Sequence, residues 1–333
     1  MEFDIVLQNL KKKIYHPIYL LQGEEPYFID QISDYIEKNV LADAEKGFNQ
    51  TVFYGKDTDP VTIAHSAMQF PMMASQQVII VKEAQSLAKI ETLAAYAGKP
   101  LSSTILVLNY KYKNLDARTK LVKEIKKNGV IFTSKKVYEN RIPAWIENYL
   151  RQHNFTITPQ ASQILTSYLG ANLSKVANEL DKLIIAVKDT SQISPKQIEE
   201  NIGLSKDFNA FELQKALGEK NVIKANQIIN YFGENQTLNP IQKTISNLYF
   251  YFSKLFMYYF LDDKSDRNVA AALAVHPFFA KEYILAAKKY SPTKLYEIIG
   301  ILREYDMKSK GWKVSTMVDK ADLQKEMIYK ILH

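Results

Sequence analysis

The residues best placed to do chemistry follow the first predicted strand, where ATP-hydrolysing α/β proteins carry a phosphate-binding loop. Such a loop needs glycines for close backbone approach, a lysine for the β- and γ-phosphates, and a serine or threonine for Mg²⁺. Here the run is Gln22-Gly23-Glu24-Glu25-Pro26-Tyr27. It has one glycine and no lysine, serine or threonine, and its two carboxylates would repel a triphosphate. We place both carboxylates in the first turn of the next helix, where the helix dipole favours them. The run predicts a loop that does not hold ATP.

The strand Val78–Val81 gives a second test of nucleotide chemistry. In ATPases of this design a comparable strand ends in acidic residues that hold Mg²⁺ and orient water. Here it is followed by Lys82-Glu83-Ala84, and a lysine is a poor Mg²⁺ ligand. The five histidines are isolated, without the spacing of a metal site, and there is no cysteine. The sequence therefore predicts no cofactor, no metal and no catalytic residue.

Short β-rich runs alternate with helical stretches through residues 1–140. Several runs are apolar without alternation, as in parallel strands that are buried on both faces. The predicted strands are Ile18–Leu21, Thr51–Tyr54, Val78–Val81, Thr104–Leu108 and Val130–Thr133. The predicted helices include Tyr27–Val40, Pro60–Phe70 and Asp116–Lys127. This alternation predicts an α/β domain built on a parallel sheet.

The strand signal stops after Tyr138, and the rest of the chain has helical patterning. Short amphipathic helices are followed by longer ones that are rich in aromatic residues. The most apolar run, Leu248–Leu261, has 14 residues, fewer than the ~20 that a membrane span needs, and predicts a buried helix. We predict an α/β domain over residues 1–140, a small helical domain over 141–208 and a helical domain over 209–333.

The amino-acid composition indicates the cellular environment of the protein and whether it could bind nucleic acid. The absence of cysteine fits a reducing cytoplasm, and the acidic N-terminus is not a secretory signal. The sequence therefore predicts a cytoplasmic protein that does not enter a membrane. The net charge of +7 permits contact with nucleic acid but does not demand it.

Several strings spread over nearly the whole chain resemble the delta-subunit family of the bacterial DNA polymerase III clamp loader. The first is the loop with its strand, Tyr19-Leu20-Leu21-Gln22-Gly23-Glu24-Glu25-Pro26-Tyr27. The others are Phe70-Pro71-Met72-Met73-Ala74-Ser75, Arg141-Ile142-Pro143-Ala144-Trp145, Gly170-Ala171-Asn172-Leu173-Ser174, Asn178-Glu179-Leu180-Asp181-Lys182-Leu183 and Asp306-Met307-Lys308-Ser309-Lys310-Gly311. Each string is weak alone, but their order and spacing together are fairly specific.

The resemblance implies a AAA+-like parallel-sheet domain that does not hydrolyse ATP, a small helical lid domain and a C-terminal helical collar domain. It also implies the partners: the sliding clamp (the beta subunit), which the protein opens, the other subunits of a hetero-pentameric loader, and DNA within that loader. The family's clamp-binding element carries two adjacent apolar side chains at the end of the helix before the third strand.

The positions that match this element are Met72 and Met73, preceded by Phe70 and Pro71. The family commonly has leucine and phenylalanine there, so this sequence departs from the pattern, although methionine suits an adaptable pocket. We expect Pro71 to interrupt the preceding helix, with Phe70 supporting the helix end beneath the methionines. The alternative is that Met72 and Met73 are core residues under the sheet.

Two other functions stay open from the sequence. One is a DNA-binding protein that acts without a clamp, and the other is an active AAA+ ATPase. A basic cluster favours the first, although such clusters are more often solvated helix faces. Its possible DNA contacts are Lys111, Lys113, Arg118, Lys120, Lys123, Lys126 and Lys127.

Overall fold

A computed structural model of the chain describes residues 2–187, 191–203, 205, 207–312 and 319–333. The chain divides into two compact units, residues 1–137 and 138–333. The division falls close to the predicted end of the first domain at residue 140. The second unit contains both predicted helical domains, so a boundary between them at residue 208 stays a prediction.

The first unit is built on five parallel strands in the order β2-β3-β4-β1-β5. The strands are β1 Ile18–Gly23, β2 Gln50–Tyr54, β3 Gln77–Lys82, β4 Thr104–Lys111 and β5 Val130–Ser134. Each contains one of the predicted runs. In the central pair, Leu20 lies beside Leu108 and Gly23 beside Lys111. Since all strands are parallel, their carboxyl ends meet at one edge, where ligands of open α/β sheets bind.

Helices cover both faces of this sheet. They are α1 Phe3–Lys11, α2 Pro26–Asn39, α3 Asp43–Asn49, α4 Pro60–Ala67, α5 Ala94–Gly98 and α6 Lys120–Asn128. Leu20, Val81 and Leu108 share one buried cluster with residues of α4, α5 and α6. Leu21 and the strand residues on the other face share a second cluster with α1 and α2. Burial on both faces explains why the strand runs are apolar without alternation.

Two helix boundaries differ from the prediction. Helix α4 ends at Ala67 rather than Phe70, because the chain leaves helical geometry after Met68. Pro71 lies beyond that end and does not terminate the helix. Helix α6 begins at Lys120 rather than Asp116, because the Thr119 hydroxyl accepts a hydrogen bond from the Val122 N–H as its N-cap.

The second unit is almost entirely helical. Its helices are α7 Ile142–Gln152, α8 Pro159–Leu169, α9 Leu173–Ala186, α10 Pro195–Ile202, α11 Ala210–Gly218, α12 Val222–Glu234, α13 Ile241–Tyr258, α14 Asp266–Ala272, α15 Ala280–Ala287, α16 Pro292–Ser309 and α17 Lys320–Leu332. The expectation of no further strands is wrong, since β6 Thr156–Ile157 pairs with β7 Gln192–Ile193. Strands of two residues are too short to leave a periodic signal. The predicted fold class is confirmed as an α/β unit with a parallel sheet followed by helices.

The aromatic run forms most of α13, the helix at the centre of the second unit's core. Leu248, Phe252 and Leu255 are buried in one cluster with residues of α16 and α17. Tyr249, Phe250 and other large side chains of the run are exposed. Over the described residues no single helix is long and apolar enough to cross a membrane, although the bent pair Asp266–Ala272 and Pro277–Ala287 passes that test together.

Candidate functional site

The segment between α4 and β3 carries an apolar surface that faces solvent. We call residues 68–76 the methionine loop. Met72 is 62% exposed and Met73 is fully exposed, so the alternative that they are core residues does not hold. Phe70 is 76% exposed and Met68 is also exposed. Phe70 therefore does not support the helix end from beneath, as expected from the sequence, and belongs to the same solvent-facing surface.

The methionine loop is fixed at its centre by Asn49, the last residue of α3. The Met72 N–H donates to Asn49 Oδ1 at 2.6 Å, and Asn49 Nδ2 donates to the Met72 carbonyl at 2.9 Å. Asn49 Nδ2 also lies 3.0 Å from the Glu45 carbonyl, one turn earlier in α3. The side chain is buried, and removing it would leave the Met72 N–H and carbonyl without this partner.

Two further polar side chains, both buried, anchor the start of the loop. Gln77 Nε2 donates to the carbonyls of Gln69 and Ser66 at 2.7 and 3.1 Å. The Thr104 hydroxyl donates to the Ala67 carbonyl at 3.0 Å. These bonds satisfy carbonyl groups that the end of α4 leaves without helical partners. Sequence analysis missed Asn49, Gln77 and Thr104, because only the fold brings them next to the loop.

The backbone of the loop is strained at its most exposed residue. Met73 has φ of 53°, in the left-handed region, which costs a residue with a Cβ roughly 1–2 kcal/mol. Such conformations persist where the surrounding contacts impose them, and they cluster at binding sites. The hydrogen bonds to the neighbouring Met72 provide such contacts.

The composition of the loop is that of an interface core. Residues 68–77 contain no charged side chain, whereas charged residues make up 24% of the whole chain. Centres of protein–protein interfaces are depleted in charge and enriched in methionine and aromatic residues. The loop presents four exposed apolar side chains, Met68, Phe70, Met72 and Met73, and large exposed apolar patches mark interaction sites.

The carboxyl edge of the sheet, where a nucleotide would bind, is closed by the protein's own hydrogen bonds. The Gly23 N–H donates to the Lys113 carbonyl at 3.2 Å, and the Glu24 N–H donates to the Ser134 carbonyl at 3.3 Å. The Glu25 N–H donates to the Ser134 hydroxyl at 3.1 Å. These are the backbone groups that cradle phosphate in a nucleotide-binding loop, and all three already have acceptors.

The single glycine of this loop serves packing against the neighbouring strand. Gly23 has φ of +129°, and a Cβ on it would lie 2.2 Å from the Ser134 carbonyl oxygen. Glu25 is the N-cap of α2 rather than part of its first turn, and it accepts a hydrogen bond from the Tyr27 N–H. Burial raises the pKa of the Glu25 carboxyl, and that hydrogen bond partly offsets the effect.

An ion-pair cluster occupies the same edge at the end of β4. Lys111 Nζ lies 2.8 Å from an Asp30 carboxylate oxygen on α2 and 3.4 Å from a Glu83 oxygen after β3, and its side chain is only 14% exposed. Burial lowers the pKa of Lys111, but the hydrogen bond and charge of Asp30 and the charge of Glu83 outweigh this and raise it. Lys82 at the end of β3 pairs with Glu37 at 3.0 Å. A lysine, Lys82, thus stands at the end of β3, where an ATPase would present a Mg²⁺ ligand.

The seven basic residues suggested as DNA contacts do not form one surface of unpaired positive charge, because several of them pair with carboxylates. Lys111 is committed to its two carboxylates, which makes it a poor partner for phosphate. Arg118 pairs with Asp116 and Lys127 pairs with Glu124, while Lys113 lies over the Tyr110 ring. The remaining three line a shallow groove along α6 and are exposed: Lys120, Lys123 and Lys126. Within the described residues no group of three or more histidine, aspartate or glutamate side chains is arranged to hold a metal ion.

Comparison with known proteins identifies relatives along the chain. Residues 19–135 match the family described as DNA polymerase III, delta subunit. The DNA polymerase III subunit delta of Bacillus subtilis is 28% identical over 326 residues, which cover 93% of this chain and 92% of that protein. The solved structure of the Bacillus subtilis DNA clamp loader delta protein matches with a TM-score of 0.57 and 23% identity, over 99% of both chains.

The ion-pair cluster leads to a stability prediction. Replacing Lys111 by methionine leaves Asp30 and Glu83 facing each other without a cation, and should lower the free energy of unfolding at pH 7 by about 1.5–3 kcal/mol. The pKa of Lys111 is raised in the folded state. The charged Lys111 side chain therefore stabilises the folded protein below pH ~10.4, and this contribution is lost as the pH rises through the folded pKa. Urea unfolding at pH 7 and at alkaline pH measures both effects.

The matched control is Lys113→Met, two residues further on and exposed, which should change stability by less than about 0.5 kcal/mol. The Lys111→Met protein should also lack the wild-type loss of stability above that pH. Equal losses in the two variants would show that the cluster does not stabilise this edge.

Proposed function

We propose that the chain, which is similar to DNA polymerase III delta subunits, is a member of that family and that it binds the sliding clamp and opens its ring without hydrolysing ATP. The observation that carries this proposal is the pair Met72–Met73, exposed on a loop that buried side chains hold in place. Both methionines would enter an apolar pocket on the clamp. Binding can open the ring only if the loop binds the open ring more tightly than the closed one.

The physics of the methionine loop supports this role. Burying a methionine side chain stabilises a complex by roughly 1.5–3 kcal/mol, and a flexible thioether adapts to a pocket that other family members fill with leucine and phenylalanine. The hydrogen bonds of Asn49 and Gln77 fix the loop before the partner arrives. Less ordering entropy is then lost on binding.

The closed carboxyl edge supports the proposal that ATP is neither bound nor hydrolysed. A triphosphate would have to displace the acceptors of the Gly23, Glu24 and Glu25 N–H groups. It would also meet the carboxylates of the loop, which repel it. The energy for ring opening would then come from clamp binding and from the other loader subunits.

The outer face of α13 supports a role in assembly. Phe250 and Met257 are seven residues apart, so they lie on the same side of the helix. They are exposed together with Tyr249 and Phe260. An apolar face of this kind suits a neighbouring subunit in a hetero-pentameric, cytoplasmic loader, with residues 209–333 as the collar domain and 141–208 as the lid domain.

A second candidate role is contact with DNA inside the loader, which the exposed groove of Lys120, Lys123 and Lys126 favours. Three such cations would contact phosphate without reading sequence. Tight duplex binding by the isolated chain that weakens steeply with salt would instead favour a DNA-binding protein that acts without a clamp.

The methionine pair gives the sharpest test of clamp binding. The double variant Met72→Ala, Met73→Ala should weaken binding to the sliding clamp of the same organism by at least ~30-fold, because two buried apolar anchors are lost. Its free energy of unfolding should change by less than about 0.5 kcal/mol, because both side chains are exposed. A calorimetric binding titration and a urea melt measure the two quantities.

Met257→Ala on α13 is the matched control, and it should bind the clamp like the wild type.

The variant Met73→Gly distinguishes the loss of the apolar contact from the effect of backbone strain on stability. Glycine accepts the left-handed backbone, so this variant should be no less stable than Met73→Ala while losing the same apolar contact. Normal clamp binding by the double variant would rule out the methionine loop as the binding element.

The exposed face of α13 predicts an assembly defect. Phe250→Asp with Met257→Asp should reduce incorporation into a reconstituted loader at least ~10-fold, because two charges would be buried at a subunit contact. Clamp binding by the isolated chain should not change. Tyr296→Asp, at another exposed position on α16, should assemble normally. Size-exclusion chromatography of the reconstituted mixture measures incorporation, and full incorporation of the double variant would refute this assignment.

A further inference from the structure

The end of α3 presents an exposed aromatic ring that neither the fold nor the methionine loop explains. Phe48 is 76% exposed, and it is the only large apolar residue of the seven in this helix, whose sequence is Asp43-Ala44-Glu45-Lys46-Gly47-Phe48-Asn49. A single exposed apolar residue is common on protein surfaces. The position of Phe48 is what sets it apart, since it immediately precedes the residue that holds Met72.

The link between α3 and the methionine loop is direct. Asn49 exchanges two hydrogen bonds with the Met72 backbone, at 2.6 and 2.9 Å. Consecutive Cα atoms are 3.8 Å apart, so Phe48 lies one residue from this junction. Strand β2 begins at Gln50, and the end of α3 is therefore attached to the sheet. Phe48 is thus held at a fixed place beside the loop, although 23 residues separate Asn49 from Met72 along the chain.

Hydrogen bonds and an ion pair fix both ends of helix α3, so its last turn has a defined position. The Ala42 N–H donates to the Glu45 carboxylate at 2.9 Å, and Lys46 pairs with Asp43 at 2.7 Å. Asn49 closes the other end through the Glu45 carbonyl. A helix of seven residues is marginal by itself, so these contacts and the bonds to Met72 fix it together with the loop.

The hydrogen bonds between Asn49 and Met72 bring two separate segments with exposed apolar side chains together. The end of α3 carries Phe48, and the methionine loop carries Met68, Phe70, Met72 and Met73. Interface hot spots are enriched in aromatic residues and surround an anchor near the centre. A rigid ring beside two flexible methionines combines an anchor of defined shape with side chains that adapt.

We infer that the end of α3 is the second half of the clamp-binding site, in which Phe48 contacts the clamp and Asn49 positions Met72 and Met73. This inference rests on the proposed function, because its partner is the sliding clamp. Asn49 is a positioning residue that acts through the loop backbone, whereas Phe48 acts through its own contact.

These two roles make different predictions in a double-mutant cycle on the full chain, with the clamp affinity and the free energy of unfolding measured for each variant. Phe48→Ala should weaken clamp binding at least ~5-fold without loss of stability, and Phe48→Lys should do the same because it places a charge in the apolar patch. Asn49→Ala should weaken binding and also lower stability, since it removes the hydrogen bonds to the Met72 and Glu45 backbones.

The cycle is completed in the Met72→Ala, Met73→Ala background. There the effect of Asn49→Ala on binding should largely disappear, because the side chains that it positions are gone. The effect of Phe48→Ala should persist there, because its contact is independent. Phe278→Ala is the matched control, an exposed phenylalanine in the second unit, and it should bind like the wild type.

The outcomes separate this inference from the proposed function. If the wild type does not bind the clamp, or if the methionine double variant binds normally, the proposed function fails. If the methionine variant loses binding while Phe48→Ala and Phe48→Lys bind like the wild type, only the contact assigned to Phe48 is overturned. If Asn49→Ala weakens binding equally in both backgrounds, the positioning role assigned to Asn49 is overturned.

Discussion

A loop that carries several exposed apolar side chains keeps one shape only if other contacts fix its backbone, because burying those side chains within the protein would be favourable. In this protein the restraint comes from buried amide and hydroxyl groups. Asn49 and Gln77 bind the backbone of the methionine loop, and Thr104 binds the Ala67 carbonyl at the end of α4, immediately before the loop. The parallel sheet sets the distance between the elements that carry these residues. The exposed surface therefore depends on the interior of the α/β unit, and a change in the packing of that unit would move the loop.

The carboxyl edge of the same sheet, where a nucleotide would bind, is closed by contacts within the protein. The carboxyl edge still has the geometry at which α/β proteins bind ligands, but its backbone donors and its charges are satisfied internally. Lys111 joins α2, β4 and the segment after β3 through Asp30 and Glu83, and Ser134 receives the N–H groups of the loop after β1. An edge closed in this way stabilises the scaffold that carries the methionine loop, which lies on the amino-terminal side of β3. The α/β unit thus supports the exposed methionine loop, which we propose as the binding surface.

Much of the fold follows from local sequence patterns, and much of the site does not. The five strands of the sheet were predictable because their apolar runs reflect burial on both faces. The exposure of Met72 and Met73 was expected, but for the wrong reason, since α4 ends before Pro71 and Phe70 is itself exposed. No local sequence pattern indicates the role of Asn49, because its hydrogen-bond partner Met72 is 23 residues away. The partners of Lys111, Asp30 and Glu83, also lie on separate elements, so the sequence did not show that this charge is neutralised. A count of basic residues therefore overstated the positive surface available to DNA.

The central claim is that a preformed apolar loop, and not a nucleotide, controls binding to the sliding clamp. Isothermal titration of the full chain with the clamp of the same organism, with and without ATP and Mg²⁺, tests it most directly. The account predicts a stable complex in the absence of nucleotide and a Kd that changes by less than about twofold, or about 0.4 kcal/mol, when ATP is added. A complex that forms only with ATP, or no complex in either condition, would contradict it.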